Sequence, residues 1–172
     1  MGYRSNIGGV FSVDDWLGRE PETKEGQNLA ILKYKEMIGL IKLSRFYELM
    51  QQVEQDRNCI GWKGGEFFFH AEDWKWYPDY DVVQAWDELW SQMQEVEGIS
   101  GYFLRVGEEA TDIVSDEFGD EPDYEAFYSY TGMTCNVGAK TFGCGDIDKE
   151  LEELTLLDKG ETICTDNNAI QA

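Results

Sequence analysis

A run of carboxylates uninterrupted by any base is the part of this sequence with the most obvious chemical use. Between residues 108 and 125 the chain holds nine acidic side chains and no Lys or Arg. They are Glu108, Glu109, Asp112, Asp116, Glu117, Asp120, Glu121, Asp123 and Glu125. Clustered carboxylates can stand where a nucleic acid has phosphates, can ligate a hard divalent cation, or can simply keep a surface hydrated.

The acidity of the whole chain narrows the classes of partner. The 172 residues include 35 Asp and Glu against 14 Lys and Arg, a formal net charge of −21. Residues 72–126 alone contain 17 acids and two bases, Lys75 and Arg105, whereas residues 1–71 are almost neutral. This field repels phosphates and anionic lipids, which excludes direct binding to nucleic acid or to an anionic membrane surface. If the acidic run is a docking surface, the expected partner is a basic protein of the nucleic-acid-binding kind.

Two other interpretations of the acidic run stay open. The first is an interaction or assembly module in which the acid gives only solubility. The second is a carboxylate-based divalent-metal enzyme. An EF-hand needs Gly at the sixth loop position and Glu at the twelfth, and no loop here that begins with Asp meets both conditions.

Aromatic residues form a second candidate site. Trp74, Trp76 and Tyr77 lie close together in the sequence, ahead of a predicted helix. Bases stack on aromatic rings where cations flank them, and here only Lys75 is near. We therefore predict that most of the neighbouring rings pack in the core. Trp74, Trp76 and Tyr77 are expected to leave a partly exposed rim that anchors a protein partner.

Catalytic motifs are missing from the sequence. It has no GxxxxGK[ST], GxGxxG or HExxH pattern. The single histidine, His70, follows three phenylalanines in a predicted strand, which favours a structural role. We expect a protein that is not an enzyme and has no catalytic residue, metal or cofactor. Because a signal-peptide pattern and a membrane-length apolar run are also missing, the expected location is the cytoplasm.

The apolar periodicity predicts the elements that position these side chains. Strands are expected at 3–13, at 59–76 with a turn at Gly64 and Gly65, at 102–106, at 112–115 and at 125–134, with residues 116–125 as a turn. Gly8 and Gly9 indicate a bulge or a close backbone approach in the first strand. Helices are expected at 29–55, from Asp79 or Asp81 to Glu97, and at 148–157.

Two details refine the helix predictions. Asn28 is the expected cap of the helix at 29–55, and Gly39 and Ser44 make a break within it plausible. The element order favours an α+β fold, with one antiparallel or mixed sheet and helices packed on one face. We assign residues 1–164 to a single domain and residues 165–172 to a flexible tail.

Three segments resemble a family of small proteins encoded by tailed bacteriophages and prophages. They are the start MGYRS, the stretch KWYPDYDVVQAW from Lys75 to Trp86, and GYFLRVGEE from Gly101 to Glu109. The resemblance covers residues 1–13 and about 70–130 and carries no catalytic residue. It implies a phage accessory protein that acts in a bacterial cytoplasm. Small acidic phage proteins include inhibitors of CRISPR complexes and restriction enzymes that imitate nucleic acid. The resemblance and the charge distribution of residues 72–126 together lead us to expect an anti-CRISPR or anti-restriction type of inhibitor.

Overall fold

The computed structural model describes residues 3–16, 24–53, 58–109, 111–120, 122–124, 127 and 152. In these ranges the helices are α1 (Lys24–Leu43), α2 (Arg45–Gln51) and α3 (Asp81–Gln94). The strands are β1 (Ser5–Val13), β2 (Asn58–Lys63), β3 (Glu66–Trp74), β4 (Ile99–Gly107) and β5 (Ile113–Phe118). Both helical segments interrupt the strands along the chain: α1 and α2 follow β1, and α3 follows β3.

One antiparallel sheet organises the described residues. Its strand order is β2-β3-β1-β4-β5, with β2–β3 and β4–β5 as hairpins and β1 in the centre. All three helices contribute side chains to the core on one face of this sheet. The α+β prediction with helices on one face is therefore confirmed, and of the two sheet types considered the sheet is antiparallel.

The core beneath the helices is built from aromatic rings. Trp86 of α3 packs on Phe11 of β1 and on Phe69 of β3, with ring centroids 5.2 and 4.6 Å apart. Gly9 makes room for this packing, because a Cβ atom there would lie 2.6 Å from the Phe69 ring and 2.7 Å from the Trp86 ring. The close backbone approach predicted for the glycine pair is confirmed at Gly9.

The opposite face of the sheet is apolar as well. A second buried cluster lies on it, comprising Val10, Phe68, Tyr102, Leu104, Val106 and Phe127. Burial on both faces explains why the central strands are almost continuously apolar instead of alternating with polar residues. It also leaves the exposed acids to the loops, the helix surfaces and the edge strand β5.

The break predicted within the helix at 29–55 is confirmed at Ser44. The Ser44 backbone is extended and its hydroxyl accepts a hydrogen bond from the Tyr47 N–H, so that Ser44 caps α2. The predicted cap at Asn28 is wrong, because α1 already begins at Lys24 and Asn28 lies inside it. The turn at Gly64 and Gly65 is confirmed, since both have positive φ and connect β2 to β3.

Two strand predictions need correction. The register irregularity in β1 lies between Ser5 and Ile7, opposite an extra residue in β3, where Asp73 adopts a φ of 59°. The bulge is therefore on β3, and Gly8 and Gly9 keep regular pairing. The expected turn at 116–125 also begins too early, because Asp116, Glu117 and Phe118 extend β5. The strand continues to Phe118 because it pairs with β4 as far as Gly101.

Several predictions fall on residues outside the described ranges. These are the strand at 125–134 apart from Phe127, the helix at 148–157 apart from residue 152, the tail at 165–172 and the end of the domain at 164. At Phe127 the backbone N–H donates to the Asp123 carbonyl, an i to i−4 bond that belongs to a helical turn. Among the described helices, none combines the length and apolarity needed to cross a bilayer.

Candidate functional site

The β4–β5 hairpin positions most of the acidic run. A 2.8 Å hydrogen bond from the Gly107 N–H, at the end of β4, to the Asp112 carbonyl, just before β5, closes the turn of this hairpin. The six residues of β5 then carry the chain about 20 Å along the edge of the sheet. Glu108 and Glu109 therefore lie at one end of this edge and Asp120 at the other, so the carboxylates form a line and not a compact cluster.

Strand alternation divides the acids of β5 between the two faces of the sheet. Asp116 is paired with Phe103 of β4, on the face that the helices cover. Glu117 is paired with Tyr102, on the opposite face. Both are exposed, but neighbours in the sequence point in opposite directions along a strand. A partner that binds one face of β5 therefore meets only half of its carboxylates.

Asp112 is occupied within the molecule. Its carboxylate accepts two hydrogen bonds from the Arg105 guanidinium, at 2.8 and 2.7 Å, and Arg105 also donates to the Ser5 hydroxyl at 3.1 Å. These bonds from Arg105, with a further one from Tyr3, lower the pKa of Asp112. The arrangement ties the hairpin loop to β1 and β4, which gives Asp112 a structural part besides any in partner binding.

The other two loop acids touch the chain near its start. The Glu108 carboxylate accepts a 3.0 Å hydrogen bond from the Arg4 backbone N–H. The Glu109 N–H donates to the Tyr3 hydroxyl at 3.1 Å, which leaves the Glu109 side chain exposed. Arg4 itself bonds to Asp73 at the bulge of β3. The loop is thus held by its backbone and by Glu108, while Glu109 projects into solvent.

The remaining acids of the run lie in the second half of β5, beyond its far end, or outside the described ranges. Glu117, within β5, accepts a hydrogen bond from the Tyr124 hydroxyl, and Asp120, beyond β5, is exposed. Asp123 is half-buried and lines a separate hollow of about 390 Å³ with Asp14, Trp16 and Glu66. Glu121 and Glu125 lie outside the residues that the structure describes.

The three predicted aromatic anchors do not form a single patch. Trp74 lines a shallow hollow beside α2 and the start of α3. Trp76 and Tyr77 instead line a different cleft. The Trp76 ring packs on the rings of Phe69 and Phe103, with centroid distances of 6.4 and 6.0 Å. All three rings are half-buried, which agrees with the expected rim. Tyr77 packs edge-on against Tyr80.

The cleft beside Trp76, called the aromatic cleft below, joins the two predicted sites. It lies between α3 and the β4–β5 hairpin and has a volume of about 510 Å³. Its aromatic lining is Tyr3, Trp76, Tyr77, Trp86, Trp90 and Phe103. Its charged lining is Asp87, Arg105, Asp112 and Asp116. Acid from the hairpin and aromatic rings from the segment before α3, which are about 40 residues apart in sequence, therefore meet here.

The sequence pattern does not single out Asp87, Arg105 or Tyr3 as site residues. Asp87 lies on α3 between Trp86 and Trp90 in sequence, and partial desolvation beside the cleft raises its pKa. The position of this carboxylate at the border of an apolar helix stripe is the sequence signal that could have identified Asp87. Arg105 is one of only two bases in residues 72–126, which was the corresponding signal for a paired cation.

His70, the single histidine of the sequence, is enclosed within β3. His70 is 1% exposed, its Nε2 atom has no hydrogen-bond partner there, and burial lowers its pKa to about 4. A neutral, enclosed imidazole of this kind fits the structural role predicted for it. Within the described ranges, no group of three or more His, Cys, Asp or Glu side chains is placed to hold a metal ion.

Comparison of the chain with protein-family models, with curated proteins and with solved structures gave no match.

Proposed function

We propose that this protein is a non-enzymatic inhibitor that docks its acidic hairpin edge on a basic, nucleic-acid-binding groove of a host protein. The family resemblance supplies the expected setting, a phage protein directed against a bacterial defence nucleoprotein of the CRISPR or restriction type. In such a complex the carboxylates of the hairpin take the places of phosphates. Electrostatic attraction then makes association fast and sensitive to salt.

The observation that carries this proposal is the exposed line of acid along the edge of the sheet. Glu109, Asp116, Glu117 and Asp120 are all exposed over the length of β5 and its flanking loops. No Lys or Arg occurs anywhere between residues 106 and 139 to neutralise them. Unneutralised like charges on neighbouring residues repel one another and destabilise the folded protein. A partner that supplies cations relieves this repulsion, and the relief favours formation of the complex.

The test removes charge from the hairpin without altering its shape. The variant carries Glu109→Gln, Glu117→Gln and Asp120→Asn, which keep the size of each side chain and one acceptor oxygen and remove three charges. Immobilised protein is exposed to lysate of a bacterial host, and retained proteins are eluted with rising NaCl and identified by mass spectrometry. We expect a nucleic-acid-binding protein that elutes at moderate salt, is displaced by a short duplex, and binds the variant about tenfold or more weakly.

The matched control removes three charges elsewhere. Glu48→Gln, Glu95→Gln and Glu97→Gln alter exposed acids on α2 and just after the end of α3, outside the acidic run. This control is expected to retain the partner almost as well as the unaltered protein. Equal loss of binding in both variants would show a response to total charge alone.

Salt dependence separates the proposal from the interaction or assembly module considered above. A module held by apolar contact keeps its partner through high salt, whereas a charge-led complex releases it. Retention that persists at high salt and is insensitive to a competing duplex would contradict the inhibitor proposal and favour the module.

A further inference from the structure

The aromatic cleft differs from the rest of the acidic surface because aromatic rings form its wall beside the carboxylates. Its volume, about 510 Å³, lies in the range of sites that enclose a small ligand or one large side chain. Its inner wall is apolar, since Trp86, Trp90 and Phe103 are nearly buried. Trp76 and Tyr77 are half-buried at the outer part of the same wall.

The charges around the cleft favour a cation. Arg105 makes bonds to Asp112 and Ser5 with both of its terminal nitrogens, so its charge is already matched within the protein. Asp87 from α3 and Asp116 from β5 then remain as carboxylates on opposite sides of the cleft. Neither has an ion pair in the described part of the chain. An anionic ligand would face these two charges without a free cation to receive it.

The aromatic lining adds a second preference. Cations lie favourably over the faces of aromatic rings, and Trp holds them best. Trp90 is 7% exposed, lines the cleft, and has an Nε1–H without a hydrogen-bond partner among the described residues. A ligand carried on a peptide backbone brings carbonyl oxygens that can accept from such a donor.

We propose that the aromatic cleft is a receptor for one arginine side chain of the basic partner, held between the Trp76 ring and the carboxylates of Asp87 and Asp116. Arginine fits better than lysine because its planar guanidinium both stacks on rings and donates in pairs to carboxylates. The pair formed by Arg105 and Asp112 at the rim shows the second of these modes within the protein itself. This inference rests on the proposed function, because it assumes a basic protein partner.

The first experiment titrates the protein with N-acetyl-arginine amide. Binding is followed by tryptophan fluorescence and by the indole N–H signals in a nitrogen–proton correlation spectrum, where the Trp90 signal is expected to move. N-acetyl-citrulline amide has nearly the same shape without the charge, and it should bind at least about fivefold more weakly. Equal binding of the two probes, or no response of any indole signal to the arginine probe, would overturn the proposal.

Variants locate the effect in the cleft. Asp87→Asn with Asp116→Asn removes both carboxylates that have no ion pair in the described part of the chain, and both positions are exposed, so the fold is expected to persist. The control, Asp79→Asn with Glu95→Gln, removes the same charge from exposed positions that do not line the cleft. The cleft variant should lose the discrimination against citrulline, and the control should keep it. Equal discrimination in both variants would place the binding elsewhere.

A pair of basic peptides separates failure of the cleft from failure of the proposed function. Oligo-arginine and oligo-lysine of equal length should both bind in a salt-dependent manner if the acidic edge is a docking surface. The cleft adds a preference for arginine that the Asp87 and Asp116 substitutions remove. Equal binding of the two peptides would overturn the cleft and leave the docking surface standing. Binding of neither peptide would overturn the docking surface, and the amide titration would then decide the cleft by itself.

Discussion

Asp112 and Asp116 are four residues apart and chemically identical, yet their surroundings give them different parts. Asp112 faces Arg105 and has its charge matched by two hydrogen bonds. Asp116 lies opposite an apolar ring, Phe103, and keeps its charge exposed. A carboxylate contributes to a docking surface only to the extent that no internal cation neutralises it. For that reason Asp116 carries more of the proposed recognition than Asp112.

At the same scale, His70 predicts a loss of stability in mild acid. Burial keeps its pKa near 4 in the folded state, against about 6.5 when unfolded, so the unfolded chain binds the proton first. The contribution is therefore fully present above about pH 6.5 and is lost as the pH falls toward 4. The expected loss of unfolding free energy amounts to about 3 kcal/mol at most.

Urea denaturation at several pH values, with His70→Leu as the comparison, measures this effect. The difference in unfolding free energy between the two proteins should change between pH 6.5 and 4, because only one of them has an imidazole to protonate. Protonation of surface carboxylates affects both proteins alike and cancels. A difference that stays constant over this range would mean that His70 is protonated as easily in the folded protein as in the unfolded one.

The surroundings of an individual residue can be predicted best where its neighbours in the sequence determine them. The structural role of His70 followed from three adjacent phenylalanines, and the half-buried state of Trp76 followed from its position before a helix. The pairing of Arg105 with Asp112 depends on the loop geometry of the hairpin, and the cleft position of Asp87 depends on how α3 lies on the sheet. Neither arrangement is encoded in local spacing.

At the scale of elements, the edge strand β5 determines what a partner can reach. It pairs with β4 over Gly101 to Val106, and its side chains alternate between the aromatic cleft and the opposite face. A continuous acidic stretch in the sequence therefore becomes two separate rows in space. The turn predicted at 116–125 missed this division because Asp, Glu and Gly are common in turns, whereas here cross-strand pairing extends the strand through Phe118.

The junction between α1 and α2 supplies a prediction for an element boundary. Ser44 accepts from the Tyr47 N–H at 3.1 Å and separates two helices that both pack on the sheet. Ser44→Ala removes this cap and should lower the unfolding free energy by about 1 kcal/mol, measured by urea denaturation. Ser91→Ala, at an exposed position within α3, serves as the control and should change stability little or raise it slightly. Equal effects of the two substitutions would show that Ser44 does not act as a cap.

Helix and strand positions were predictable where periodicity was long. The amphipathic stripe of α3 and the apolar run of β3 both gave the right element. The start of α1 was missed because its first turn, from Lys24 to Gln27, is polar and contains a glycine. Its helical state does not follow from an apolar pattern. The bulge at Asp73 was missed because an aspartate with positive φ leaves less trace in the sequence than a glycine.

At the scale of the whole molecule, the negative charge is concentrated in residues 72–126, the part of the sequence with the fewest bases to neutralise it. Residues 1–71, which include α1, α2 and β2, are almost neutral, and residues 72–126 hold most of the excess of acid, a net charge of −15 out of −21. The described ion pairs are few and include Arg4 with Asp73 and Arg45 with Glu88. Mutual repulsion among the acids therefore destabilises the free protein, and a basic partner or added salt relieves that repulsion.

Salt should consequently stabilise this protein when it is free. Raising NaCl from about 20 mM to about 500 mM shortens the screening length severalfold, which should raise the thermal midpoint. The variant with Glu109→Gln, Glu117→Gln and Asp120→Asn should melt higher at low salt and gain less from added salt. The control with Glu48→Gln, Glu95→Gln and Glu97→Gln should resemble the unaltered protein more closely, because its acids are divided between α2 and the segment just after α3. If the salt response falls equally in both variants, the repulsion depends on total charge alone. The hairpin edge then has no excess repulsion that a basic partner could relieve.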